Sequence, residues 1–130
     1  MSNGKRILVV DDDPDIVASI EMMLEGAGYT VSTARGAAEC MKAVEAAPPD
    51  LILLDVMMEK LSSGLHVGYH LRSDPATQSI PIIMISAIGE ATGMRVSEAK
   101  DTDYVAADDF IEKPVRRDDL IARIESLLRP

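Results

Sequence analysis

The residues best able to do chemistry follow apolar runs: Asp11, Asp12 and Asp13 follow Ile7 to Val10, Asp55 follows Leu51 to Leu54, Ser86 follows Ile82 to Ile85, and Lys113 follows Asp109 to Glu112. Crowded carboxylates repel one another, and each raises the proton affinity of its neighbours unless a cation offsets the charge. Mg²⁺ suits such a set, since it takes one or two carboxylates together with waters and phosphate oxygens. The His, Cys and Glu combinations that favour zinc are missing from these positions. Around a hard cation a carboxylate can attack phosphorus to give an aspartyl phosphate. The charge on the transferring oxygens then needs stabilisers already in place. Asp55 is the expected nucleophile because it alone ends a central buried run facing the others, with Mg²⁺, the Lys113 ammonium and the Ser86 hydroxyl each serving one oxygen. Singly, each residue has an ordinary reading: Asp12 and Asp13 as helix caps, Asp55 as a strand-end acid, Ser86 as a loop hydroxyl and Lys113 as a surface charge. Their shared place at strand ends joins them into one site.

The elements that must position them are readable from periodicity. Ile7 to Val10, Leu51 to Leu54 and Ile82 to Ile85 are apolar at every position, as in parallel strands covered on both faces. Tyr29 to Thr33 is a weaker strand, and a fifth spans Asp109 to Glu112. Between them lie helical patterns. Asp13-Pro14 reads as a cap with Pro at the first helical position, followed by Val17, Ile20 and Leu24, with Gly26 and Gly28 as the stop. Gly36 to Ala47 carries Cys40, Met41 and Val44 on one side and ends at Pro48-Pro49. Leu65 to Ser73 forms a further helix, and Asp118 to Leu128 sets Leu120, Ile121, Ile124, Leu127 and Leu128 on one stripe, opposite the solvent-side Arg117, Asp119, Arg123 and Glu125. Strands alternating with helices imply right-handed βαβ units and a doubly wound α/β sheet, whose ligands bind beyond the carboxyl ends of the strands. Gly89 to Ala107 is polar and long for such a connection.

The chain of 130 residues, 47% apolar, is expected to form one domain over 1–130 with its core at about 5–129. A net charge of −9 and the lack of any Lys/Arg cluster argue against nucleic acid. No run is long enough for a signal peptide or a membrane span, so a cytoplasmic protein with no membrane partner is expected. Cys40, the one cysteine, reads as structural in a reducing compartment. His66 and His70 lie four apart on one helix but have no evident third ligand. The eight Met residues read as core filler.

With these residues assembled, the chain resembles the response-regulator receiver family from Lys5 nearly to Pro130. The matching segments are Ile7 to Pro14, Asp50 to Met58, Pro81 to Ala87 and Asp108 to Pro114. The resemblance implies a flavodoxin-like fold of five parallel strands in the order 2-1-3-4-5. It also implies Asp55 as phosphoacceptor, Asp12 as a direct metal ligand, Asp11 acting mostly through metal-bound water, and the Met57 backbone carbonyl completing the protein's share of the shell. Ser86 corresponds to the switching hydroxyl, Phe110 to an aromatic that changes rotamer with it, and Lys113 to the phosphate-contacting ammonium. Small Ala87 leaves the phosphoryl path open, and Lys113-Pro114 is a candidate cis bond.

The implied partners are a sensor histidine kinase or histidine phosphotransfer protein and an unknown downstream protein target, with self-association through the altered face left open. With no output domain after the receiver, a stand-alone signalling protein is expected, performing at most self-phosphorylation and self-dephosphorylation. Two departures stand out: Glu59 replaces the family's usual Pro and Gly64 arrives one residue late, and the Gly89 to Ala107 segment is long. They motivate one rival, an unphosphorylated pseudo-receiver acting as an interaction module. The other rival is a phosphatase of the haloacid-dehalogenase kind, whose Asp-x-Asp pattern Asp11 to Asp13 contains but which leaves Asp55 without a role.

Overall fold

The computed structural model describes residues 5–55, 71, 73–87 and 108–128. Strands β1 (Arg6–Val10), β2 (Thr30–Ala34), β3 (Leu51–Asp55), β4 (Ile82–Ala87) and β5 (Asp109–Lys113) form one sheet in the order β2-β1-β3-β4-β5. Every pairing is parallel. Helix α1 (Pro14–Gly26) follows β1, α2 (Ala37–Ala46) follows β2, and α3 (Arg117–Leu128) follows β5. The doubly wound order expected from the resemblance is the one found.

Alternation along the strands divides the core in two, which explains why the central runs are apolar throughout. Leu8, Val10, Ile52, Leu54, Ile82, Met84 and Phe110 pack on one side with Cys40 and Val44 of α2, together with Leu71 and Ile80. Ile7, Val9, Leu51, Leu53, Ile83, Ile85 and Ile111 pack on the other with Ile20 and Leu24 of α1 and Leu120 and Ile124 of α3. Each such aliphatic side chain contributes about 1.5–3 kcal/mol through burial. The register that places these faces also places the strand ends, since a slip of one residue would exchange them. Burial pushes the Cys40 thiol up to about 11, so it is an inert core group, as its helical setting suggests.

Local signals account for the boundaries. Asp13 caps α1, its Oδ1 accepting from the Asp15 amide at 2.9 Å, with Pro14 in the first turn. The strand expected at Tyr29 to Thr33 runs instead from Thr30 to Ala34. The Tyr29 amide donates to the Leu24 carbonyl at the end of α1, which draws Tyr29 into the turn. The last helix begins one residue early, at Arg117. Of the helix expected over Leu65 to Ser73, Leu71 is described and buried. Residues 89–107 lie outside the described residues. No helix among the described residues is long and apolar enough to cross a membrane.

Gly28 has φ 96°, a left-handed conformation in the turn into β2, whereas a Cβ at Gly26 would meet nothing within 4 Å. Gly28→Ala is therefore expected to cost about 1–2 kcal/mol. Gly26→Ala is expected to leave stability unchanged or raise it by up to about 1 kcal/mol. Urea unfolding of the two variants checks the contrast.

Candidate metal and phosphoryl site

Because β1 and β3 are neighbours in register, with Val10 opposite Leu54, the residues that follow or end them meet at one rim. Asp55 is the last residue of β3 and is 2% exposed. Asp11 follows β1, is equally buried, and is tied to β2 by its amide donating to the Ala34 carbonyl at 3.1 Å. Asp12 is exposed. Oxygen atoms from the three carboxylates lie within 4.8 Å of one another. Asp13 turns instead to its cap, leaving its own amide to donate to Asp11 Oδ1 at 2.9 Å.

Lys113 closes the rim from β5, two strands beyond β3. Only a long, flexible stem spans that distance. Its Nζ lies 3.5 Å from Asp55 Oδ1 and 3.6 Å from Asp11 Oδ2. One ammonium thus pairs with the two buried members of a three-carboxylate cluster, and Asp11 Oδ2, although 3.6 Å from it, has no hydrogen-bond partner among the described residues. An oxygen in that condition costs about 1–3 kcal/mol, more when charged. A hard cation taking oxygen ligands would remove the penalty, so the residues present fit the divalent ion that their types suggested.

Asp11, Asp12, Asp55 and Lys113 are therefore brought together. For Ser86 the main chain is placed, in β4 opposite Glu112 of β5, while its side chain is outside the description. Met57, Glu59, Gly64, His66 and His70 also lie outside the described residues. Phe110 is buried within the cluster that contains Met84 and Leu71. The Lys113-Pro114 bond is cis, as the resemblance implied.

Two features were not foreseen. Arg123, assigned to the solvent side of the last helix, reaches Asp109, Asp119 and the Phe110 carbonyl. The spacing of Asp119 and Arg123, four apart on one helix, was the available signal, but the contact with β5 needed the fold. A groove of about 520 Å³ is lined by Asp15, Ile16, Ser19, Ile20, Lys113, Pro114 and Val115. It depends on segments about a hundred positions apart in the numbering.

Comparison with known proteins bears on the fold that carries this site. Residues 7–125 match the family model described as the response regulator receiver domain. The chain is 36% identical over 124 residues to the DNA-binding dual master transcriptional regulator RpaA of Synechocystis sp., covering 95% of this chain and 49% of that protein. It is 38% identical over 126 residues to the phosphate regulon transcriptional regulatory protein PhoB of Pseudomonas aeruginosa, covering 97% and 52%. Among solved structures, the receiver domain of NtrX from Brucella abortus superposes with a TM-score of 0.81 at 31% identity, covering 94% of this chain and 97% of that one. A response regulator receiver domain protein from Methanospirillum hungatei gives 0.81 at 28% identity, covering 97% and 94%.

The chain spans about half the length of the curated relatives it matches. These relatives correct the expectation that set nucleic acid aside as a partner, for one of them is named as DNA-binding. The physical reason is the reach of the charge argument. A net charge of −9 describes only the 130 residues it was summed over and says nothing of the remaining half of such a regulator.

Proposed function

The chain belongs to the response regulator receiver domain family, matching its model over residues 7–125, and from that premise we propose that it takes a phosphoryl group from a histidine kinase or histidine phosphotransfer protein onto Asp55, in the cytoplasm. Residues 1–130 act in this reading as one receiver domain, a signalling module with no turnover beyond its own phosphorylation and dephosphorylation. The observation that carries it is the position of Lys113 Nζ, 3.5 Å from Asp55 and 3.6 Å from Asp11, beside three converging carboxylates.

An Asp55 carboxylate oxygen attacks the phosphorus of the donor phosphohistidine, and the P–N bond breaks with its electron pair leaving on the imidazole, which takes up a proton. Lys113 neutralises one transferring oxygen, and Ser86, in β4, is the residue this reading assigns to another. Asp11, Asp12 and Asp55 would hold Mg²⁺, with the Met57 carbonyl in the same shell. The bound ion supplies positive charge to the remaining phosphoryl oxygen. A phosphoryl group brings a charge of about −1.5 to −2. Drawing Ser86 towards it would favour the inward position in which Phe110 is found, and so bias the protein-binding face at β5 and α3. Phosphate shifts this equilibrium only by favouring one form, and a change from 1% to 99% requires about 5.5 kcal/mol. The relatives' names support control of transcription as the kind of process such a domain serves.

Incubation with acetyl phosphate is expected to give a hydroxylamine-labile phosphoprotein in Mg²⁺ and none in EDTA. Phosphotransfer profiling against purified histidine kinases then identifies the donor. Incorporation indifferent to EDTA, or steady turnover of a generic phosphate ester, would overturn the reading.

A further inference from the structure

The main-chain groups of Phe110 have an unusual set of partners. Its amide donates to Asp109 Oδ1 at 2.8 Å, and its carbonyl accepts from Arg123 Nη1 at 3.1 Å. The same Nη1 donates to the same Asp109 Oδ1 at 2.7 Å, so a ring of three hydrogen bonds closes around one residue's main chain. Asp119 steadies the guanidinium from within α3, accepting from Nε at 2.9 Å. β5 is the last strand in the sheet order, and an end strand presents a row of amides and carbonyls with no strand to take them. Here a side-chain pair takes them at Phe110, which is buried in the core cluster that also holds Met84 and Leu71.

We propose that Arg123 is a positioning residue for the switch: by gripping the Phe110 peptide through its carbonyl and through Asp109, it holds the ring in its buried position. The inference rests on the reading of Phe110 as the aromatic that moves with phosphorylation. An exposed ion pair alone contributes little, and this one is partly exposed, with Arg123 at 36% and Asp109 at 24%. Its importance is geometric. A planar fork can hold Asp119 through Nε while Nη1 bonds the Asp109 carboxylate and the Phe110 carbonyl, which an ammonium cannot do in the same way. Buried Phe110 is the state that phosphate favours in this scheme, and coupling is reciprocal. Loss of the grip therefore weakens whatever binds at Asp55.

The chain contains one phenylalanine, so incorporation of 4-fluorophenylalanine gives a single ¹⁹F resonance from position 110. In the full chain, Arg123→Met is expected to move or broaden that resonance without any ligand. It is also expected to raise the beryllium fluoride concentration that half-saturates the Mg²⁺-loaded protein by about fivefold. Arg123→Lys should fall short of restoring either. Arg117→Met, which removes a guanidinium paired only with Asp118 among the described contacts, should change neither. An Arg123→Met protein that loses only thermal stability, with resonance and half-saturation unchanged, overturns the proposal. If beryllium fluoride has no effect on the unaltered protein, the Asp55 reading fails separately. The ligand-free resonance still decides whether Arg123 places Phe110.

Discussion

Asp55→Asn is expected to reduce hydroxylamine-labile phosphate incorporation from acetyl phosphate to background, a loss of about 10³-fold or more. Asn has nearly the shape of Asp, so the 2% exposed position at the end of β3 stays filled and the cores on either side keep their packing. What disappears is the anionic oxygen that forms the new bond to phosphorus, because an amide at this position is a poor nucleophile. Two companions locate the effect. Asp13→Asn should remain phosphorylated at close to the original rate, since Asp13 serves as the cap of α1 and Asn caps as well as Asp. Asp11→Asn keeps the nucleophile but removes a buried carboxylate of the cluster, so the Mg²⁺ requirement should move to higher concentration. Intact mass after hydroxylamine treatment reads all three. Incorporation by Asp55→Asn at the original rate would place the acceptor elsewhere.

The legibility of this site followed the physics of each part. Continuous apolar runs as short as those at Ile7, Leu51 and Ile82 fit strands covered on both faces, and the two clusters on either side of the sheet are the outcome. Once parallel strands are placed, residues at their carboxyl ends converge, so Asp11, Asp12, Asp55 and Lys113 could be gathered before any coordinates. Periodicity does not report which carboxylate is left wanting. The lack of a hydrogen bond at Asp11 Oδ2 and the turning of Asp13 to its cap are consequences of local backbone direction after Val10. Tyr29 was misplaced by one residue because β propensity cannot anticipate that its amide is claimed by the end of α1. Arg123 was read as solvated for a related reason: its Asp109 partner is fourteen residues away, beyond any helical spacing.

Lys113→Met is expected to act on stability and on chemistry in ways that a generic core lesion would not. Without its ammonium, Asp11 and Asp55 face each other as buried carboxylates whose described cationic neighbour is gone. Breaking a buried pair on one side costs about 3–5 kcal/mol. The 20% exposure of Lys113 lets water relieve part of this, so a loss of about 2–3 kcal/mol is expected in EDTA. Lys113 also competes with a divalent ion for the same carboxylate oxygens. Removing it should tighten Mg²⁺ binding, and a ligand that binds only the folded state stabilises by an amount that grows with its affinity. Mg²⁺ should therefore raise the thermal midpoint of Lys113→Met by more than it raises that of the unaltered protein. Phosphoryl incorporation at saturating Mg²⁺ should nonetheless fall by about 10²-fold, because the bound ion cannot replace a charge placed on a different oxygen of the transferring group. Stability recovered by the ion while transfer stays slow is the expected pairing, measured by thermal melts and incorporation rates across one Mg²⁺ titration. If Mg²⁺ restores transfer along with stability, Lys113 serves only to offset the acidic cluster and has no part in the chemistry.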